Sequence, residues 1–512
     1  MARYIVSRRL AGQPDTPLAS AAKPTFGEGG QEFFTAMSGK LKAFADVRPK
    51  AGPGTRRDAV VIDTDPADLA AKQPELTGNA IVEPELPRHP ALFSPSVNLA
   101  AEPIPAGIGA AVDVIVRSNG APVSAAVVTM LLQNARTGQT TSVVRTTEAD
   151  GTTSLPYNAR IWVPTVAIVT PVSGVWSWWV QNPQSQVALE LPPLPQTGPL
   201  GWWHEYLGMA GFSETRGEGI RIGIADTGTG PHQYLEHVRS VGAFVNGSYD
   251  KTAQAGADTG QHGTHVAGII GARPTAGSRD FSGIASGAEV LSARVYPGGG
   301  PPGQTEGNAN NLDIANAIDE LSSRECDLIN LSLGGAEPSD VESDAIAGAV
   351  EHGCLVICSA GNGSGAPILY PAADPRAVAV SAIGLFGAVP MGSLDSMSLP
   401  QQADHYAGGG LYLASFSNVG LEMKCTGPGV GIVSTVPGTN GAPYAAMSGT
   451  SMAAPAVTAA LATLLSHDAG YRNLPRNAQR AQRAWTVLVS TLRSLGLNQQ
   501  YQGFGMGTAW PV

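Results

Sequence analysis

From residue 201 onward, strand-like apolar runs alternate with helical ones, at 221–225, 265–271, 288–294, 311–322, 326–331, 340–351 and 353–358. Strands separated by helix-length segments cannot pair as tight hairpins. Each must cross over, so the alternation predicts a parallel sheet wrapped by helices, an α/β fold. At 512 residues the chain is too long for one ordinary domain, and two or three are expected. Its 43% apolar and 14% charged content suits a large packed core rather than disorder, while 63 glycines and 39 prolines imply many tight turns and long loops.

Three stretches of this region carry chemistry. Arg221-Ile222-Gly223-Ile224-Ala225-Asp226-Thr227-Gly228 reads as a strand ending in a carboxylate and a turn. Gln261-His262-Gly263-Thr264-His265-Val266-Ala267-Gly268 places a histidine where a helix begins. Gly449-Thr450-Ser451-Met452-Ala453-Ala454-Pro455 opens an apolar run, Ala456 to Leu465, that reads as a buried helix. A serine at a helix N-terminus lies beside free backbone N–H groups and the positive end of the macrodipole, which favour a nearby oxyanion. Taken alone, Ser451 reads equally well as an ordinary N-cap.

Together the three give acid, base and nucleophile in the chain order Asp, His, Ser, the order that subtilisin-like enzymes share. On Asp-Thr-Gly, His-Gly-Thr-His-Val-Ala-Gly and Gly-Thr-Ser-Met-Ala-Ala-Pro, the chain from Gly201 onward resembles the subtilisin-like serine proteases, the subtilases. The resemblance implies a subtilisin-like parallel sheet flanked by helices over residues 200–512. It also implies Ser451 as nucleophile, His262 as general base and Asp226 as the carboxylate that fixes the His262 tautomer. His265, one turn on, is then structural, and His232 and His237 read as solvated loop residues.

In Ser359-Ala360-Gly361-Asn362-Gly363, Asn362 follows an apolar strand, and the resemblance makes its side-chain N–H an oxyanion donor beside the nucleophile's own N–H. Read without it, Asn362 is a turn asparagine. Ser332-Leu333-Gly334-Gly335 resembles the family's edge segment, which takes substrate backbone as an added strand. Ser359, Ala360 and Gly361 would line the opposite wall. Leu369, in Ile368-Leu369-Tyr370-Pro371, stands where many relatives carry glycine on the floor of the primary specificity pocket. It is expected to shorten that pocket and disfavour large aromatic side chains. Gln261 and Ala456 depart from family habits without removing a catalytic group. No metal is expected on the residues alone; calcium remains open, but no ligand cluster is evident, and Asp258 and Asp280 read better as solvated loop residues.

Before residue 201 the chain changes character twice. Residues 1–92 read as a small α+β unit: strands at Arg3–Arg9, Ala59–Ile62 and Ala80–Glu83, helices at Gln31–Ala45 and Pro66–Gln73. This pattern resembles the inhibitory propeptide of subtilases, and implies that the N-terminal domain acts as an intramolecular inhibitor. A Pro- and Ala-rich linker follows at 93–104, and then residues 107–192 break into short strands about ten residues apart, which predicts a β-sandwich similar to Ig-like or transthyretin-like modules. Trp176, Trp178 and Trp179 offer a binding surface as one reading, but core packing is the default for aromatics in a sandwich and is the expectation here. Residues 191–200, with four prolines, form a second linker.

The remaining features bound the setting. A net charge of −10 argues against a nucleic-acid partner, and no apolar run approaches the ~18 residues of a membrane span. The apolar patch within Met1–Arg9 is too short for a signal-peptide core, so a cytoplasmic location is expected, with secretion by another route left open. Cys326, Cys354, Cys358 and Cys425 lack zinc-type spacing and are expected to be buried free thiols. The expected function is a serine endopeptidase acting on a protein or peptide substrate through an acyl-enzyme, made as an autoinhibited zymogen. The alternatives are a transpeptidase or macrocyclase using the same acyl-enzyme, and a binding protein whose β-sandwich recruits a partner on a protease-fold scaffold.

Overall fold

The computed structural model describes residues 2–10, 46–49, 57, 59–67, 69–71, 80–93, 109–298, 307–439 and 443–509. Among them, nine strands make the central sheet. Seven run in the order Ser248–Asp250, Arg239–Val245, Glu289–Arg294, Arg221–Asp226, Leu328–Leu331, Leu355–Ser359 and Val378–Leu385, and the last of these also pairs with Leu411–Leu413 and Met423–Pro428. All pairings are parallel except those of Ser248–Asp250 and Leu411–Leu413, which close the two margins. The chain lays Arg221–Asp226 down first, places Arg239–Val245 and Ser248–Asp250 on one side, fills the gap with Glu289–Arg294, then turns to the other side with Leu328–Leu331. That reversal of strand order opens a crevice at the carboxyl end of Arg221–Asp226, and Asp226 is the strand's last residue.

The two faces of the sheet carry separate cores. On one face lie His262–Gly271 and Thr450–His467, with Val266, Ile270, Met452, Leu461 and Leu465 in a common apolar cluster. Thr450–His467 is buried on all sides up to Ser466, as its continuous run of Ala, Val, Leu and Thr dictates. On the other face lie Asn311–Ser323, capped by Asn310, and Asp340–Glu351, capped by Ser339. Cys326, Cys354, Cys358 and Cys425 are all buried free thiols.

The N-terminal residues form an antiparallel sheet in the order Asp46–Pro49, Ala59–Thr64, Ala2–Arg8, Ala80–Pro84. Its two-residue alternation sends Ile5, Ala59, Val61 and Ile81 into the core around Asn311–Ser323 and Asp340–Glu351, while Val6, Val60, Ile62 and Leu69 cluster on the far side. Polar contacts pin this dock. Arg57, fully buried, bonds Asp319 (3.0 Å) and Asp344 (2.7 Å), one from each helix. Glu83 accepts the Asp340 N–H at 2.6 Å and the Ser339 hydroxyl at 2.6 Å, charging the start of Asp340–Glu351 where a helix favours an anion. The expected helix Gln31–Ala45 lies outside the described residues; of Pro66–Gln73, residues 66–67 and 69–71 are helical.

Residues 110–190 form two facing four-stranded sheets. One holds Thr152–Tyr157, Ala110–Ser118 and Gln186–Glu190 with the short Ala121–Pro122; the other holds Trp178–Gln181, Trp162–Thr170, Val127–Asn134 and Thr140–Thr146. Between them Val112, Val114, Met130, Leu132 and Leu155 make the core. The strands Thr152–Tyr157 and Gln186–Glu190 have no counterpart among the segments expected from the sequence. Trp176 is a correction: it joins the core of the large domain rather than that of the sandwich. Trp178 lies against Gly392, Leu394 N–H bonds Ser177 O at 2.9 Å, and Gly174 N–H bonds Tyr444 O at 2.8 Å, so the sandwich is fastened to the larger body.

Candidate active site

Asp226, at the strand end, accepts the His262 Nδ1–H through Oδ1 at 2.6 Å; both side chains are buried. His262 is the first residue of its helix, and what places it there is Asp258. Asp258 Oδ1 accepts the Thr227 hydroxyl (2.8 Å) and the N–H groups of Gly260 (2.8 Å) and Gln261 (3.0 Å). Its Oδ2 accepts the Thr264 N–H at 2.9 Å and the Thr264 hydroxyl. One carboxylate thus ties the turn after Asp226 to the turn before His262. The reading of Asp258 as a solvated loop residue is corrected: its oxygens are saturated by donors whose hydrogens point at them, which leaves no lone pairs for a cation. Asp280 takes the Tyr234 hydroxyl at 2.6 Å. Among the described residues no group of three acidic, His or Cys side chains could hold a metal.

The other histidines are spoken for. His265 Nε2 faces two carbonyls, Ile432 O (3.0 Å) and Ala445 O (3.1 Å), so it must carry the proton, and burial pushes the ring's pKa down to about 3. It ties the His262 helix to the hairpin of Ile432–Thr435 and Tyr444–Met447. His232 is a further correction: it is buried, accepts the Tyr234 N–H at 3.2 Å and meets Pro443 O at 3.2 Å, with its pKa pushed down by burial to about 4. His237 is half-buried, not solvated, and burial again lowers its pKa to about 4.

Ser451 sits in the first turn of Thr450–His467. Its hydroxyl donates to Ser332 O at 2.9 Å, and the Ser332 hydroxyl donates back to Ser451 O at 2.8 Å. The second bond exists because of Pro455. A helix would give the Ser451 carbonyl the N–H of residue 455, proline has none, and Ser332 takes the vacant acceptor. His262 Nε2 has no hydrogen-bond partner. Asn362 Oδ1 accepts the Thr450 N–H (3.0 Å) and the Thr450 hydroxyl (2.9 Å), which turns its amide nitrogen toward Gly449 and leaves Nδ2 buried without an acceptor.

Into this site runs the chain's own segment 87–93. Pro87–Pro90 is the middle strand of three, pairing antiparallel with Leu333–Gly334 on one side and with Ala309–Asn310 on the other. Beyond it, Ala91 N–H bonds Ser332 O (3.1 Å), Ser451 N–H bonds Ala91 O (3.1 Å) and Phe93 N–H bonds Ser448 O (2.8 Å). Phe93 stacks on Phe416 with ring centroids 4.8 Å apart. The Ala91 carbonyl comes so near Gly449 that a side chain there would stand 2.5 Å from its oxygen, and 3.2 Å from Asn362 Nδ2. Arg88 turns inward and is buried against Glu342, with Nε–Oε1 at 2.9 Å and Nη2–Oε2 at 2.7 Å.

Of the residues singled out from the sequence, Ser451 and Ser332 bond the Ala91 backbone, Asn362 and Ala91 O both lie against Gly449, and Asp226 bonds His262, whose hydrogen bonds reach neither Ser451 nor Ala91. Leu333 and Gly334 pair with the segment, and Gly335 lies against Pro87 and Arg88. Ser359, Ala360 and Gly361 do not pair with it. The Ser359 hydroxyl turns to the Leu331 and Leu333 carbonyls, Ala360 O takes Leu369 N–H (3.0 Å), and Gly361 N–H bonds the Thr450 hydroxyl (3.0 Å). Leu369 packs between Gly334 and Gly361 and fills the space separating those two walls. The second pairing strand, Ala309–Asn310, and Thr450 and Glu342 were not singled out, and Asp258 was considered only as a calcium ligand. Of these only Asp258, four residues before His262, carried a readable signal, that of an acidic residue near a helix start.

Comparison with known proteins bears on residues 217–507, which match the family model described as the subtilase family. The minor extracellular protease Epr of Bacillus subtilis (strain 168) is 30% identical over 291 residues, 57% of this chain but only 38% of its own length. The major intracellular serine protease of the same organism is 33% identical over 261 residues, 49% of this chain and 70% of its own. Subtilisin Savinase of Lederbergia lenta is 30% identical over 294 residues, 57% of this chain and 90% of its own. Residues 1–200 lie outside the family match, and among the described residues no helix is long and apolar enough to cross a membrane.

Proposed function

Because the chain belongs to the subtilase family, we propose that it is a serine endopeptidase that carries its first substrate in its own cleft, with Ala91–Leu92 as the bond to be cut. The observation that carries this reading is the Ser451 N–H on Ala91 O at 3.1 Å, in a segment hydrogen-bonded as an added strand on both sides. The N-terminal unit is then an inhibitor: its sheet docks on two helices of the large domain, and its exit strand fills the substrate path.

The Ser451 hydroxyl leaves Ser332 O, turns to the unpartnered His262 Nε2 and gives it a proton as Oγ attacks the Ala91 carbonyl carbon. Asp226 keeps Nδ1 protonated and stabilises the imidazolium that forms. The new oxyanion keeps the Ser451 N–H and gains Asn362 Nδ2; each such donor is worth about 10²–10³ in kcat. Collapse breaks the Ala91–Leu92 bond, and His262 returns the proton to the Leu92 nitrogen. Water, activated by the same base, then releases Ala91 as a carboxylate. Alanine at this place fits Leu369, which leaves little depth for a larger side chain.

Intact mass after incubation of the purified full chain tests the proposal. Wild type is expected to yield a fragment ending at Ala91 and a partner beginning at Leu92, while Ser451→Ala stays whole. A wild-type chain that remains uncut and is not labelled at Ser451 by a fluorophosphonate overturns it.

A further inference from the structure

Arg88 is the third residue before Ala91, and its environment is unlike the rest of the segment. Pro87 and His89, its neighbours, are exposed, while the Arg88 guanidinium is buried. It meets Glu342 through Nε (2.9 Å to Oε1, 3.2 Å to Oε2) and Nη2 (2.7 Å to Oε2), and Nη2 also donates to Glu337 O at 3.0 Å. The alternation of a paired strand sends it there, since successive side chains point to opposite sides. Gly335 makes room, as a side chain at that position would stand 2.7 Å from Arg88 Nη1. Glu342 lies in the first turn of Asp340–Glu351, and its recorded partner for charge is Arg88 itself.

We propose that Glu342 makes this pocket selective for arginine, so that the peptides this chain cuts carry a guanidinium four residues before the broken bond and a small side chain at the bond. The inference rests on the endopeptidase reading above. A peptide that replaces the segment pairs with the same two edges in the same register, and so delivers its own side chain to Glu342. Attraction is half of the selection. Burial pushes the Glu342 carboxyl up and the Arg88 charge pulls it down, so an apolar side chain would bury the acid without a partner. A planar guanidinium meets both carboxylate oxygens at once, which a lysine ammonium cannot do.

The test uses self-processed full chain and four fluorogenic peptides, X-His-Pro-Ala-amide, with Arg, Lys, Leu or Glu at X. Arginine is expected to exceed leucine at least tenfold in kcat/KM, with lysine between and glutamate lowest. In Glu342→Gln the arginine-to-leucine ratio falls toward unity, and a ratio does not depend on how much enzyme folds. Equal turnover of the arginine and leucine peptides by wild type, or an arginine preference that survives in Glu342→Gln, overturns the pocket and leaves the peptidase reading standing. Failure to cut any of the four peptides overturns both.

Discussion

Asp395 gives the fold a pH-dependent contribution to stability through one buried carboxyl. Its carboxylate is buried beneath Ser448, whose hydroxyl donates to Oδ1 and whose carbonyl holds Phe93. Burial pushes its pKa up to about 6 from the ordinary 3.8. A carboxyl that keeps its proton in the fold while the unfolded chain has lost it contributes stability that is full below about 3.8. That contribution is lost as pH rises through about 6. Asp395→Asn keeps the acceptor and removes the titration. It should therefore raise the thermal midpoint at pH 7–8 relative to wild type while changing little at pH 4; a midpoint difference that stays the same across pH 4–8 would sink this account. Asp226, His262, Ser451 and Asn362 were singled out because each lies in a short run that resembles a subtilase motif. Asp395 and Glu342 were not. Their roles come from what a distant segment places beside them, Ser448 in one case and Arg88 in the other.

At the scale of elements, the sheet was legible in outline because buried parallel strands are continuous apolar runs, whereas the strand at Pro87–Pro90 was not. Two prolines in four residues argue against a strand. Here the other residues and carbonyls carry the pairing, and the edges on both sides come from segments more than 200 residues away in sequence. The helix that bears Ser451 has its own irregularity, Pro455, and the reciprocal Ser332–Ser451 bonds answer it. Ser332→Ala should leave the Ser451 carbonyl buried without a donor, at a cost of about 1–3 kcal/mol. Pro455→Ala restores an N–H to that carbonyl, so the cost of Ser332→Ala should shrink by about 1 kcal/mol in its presence. A double-mutant cycle by chemical denaturation reads the coupling. Strict additivity would mean that proline does not govern this contact.

On the scale of the whole molecule, the docked N-terminal unit makes charged as well as apolar contacts. Arg57 bridges Asp319 and Asp344, one from each of the two helices the sheet lies on. Removing one partner of such a buried set costs about 3–5 kcal/mol, because the carboxylates left behind are desolvated. Arg57→Met is therefore expected to weaken the hold of the cut N-terminal unit and shorten the lag before peptide hydrolysis at least tenfold. An unchanged lag would mean that the ions contribute nothing to the hold. The sandwich lies between Leu92 and the large body in sequence and is fastened to that body through Trp176 and Trp178, so a cut at Ala91–Leu92 leaves it with the larger fragment.

That order along the chain has a kinetic consequence. If the N-terminal sheet inhibits as proposed, then while the Ala91–Leu92 peptide bond is whole that sheet is tethered, and it rebinds at an effective concentration fixed by the length of the tether rather than by the amount of protein. Once the bond is gone, no covalent leash joins the two pieces, and rebinding becomes a second-order encounter. Under that proposal dilution alone would turn the molecule on, and crowding would turn it back off, until the freed inhibitor was itself consumed.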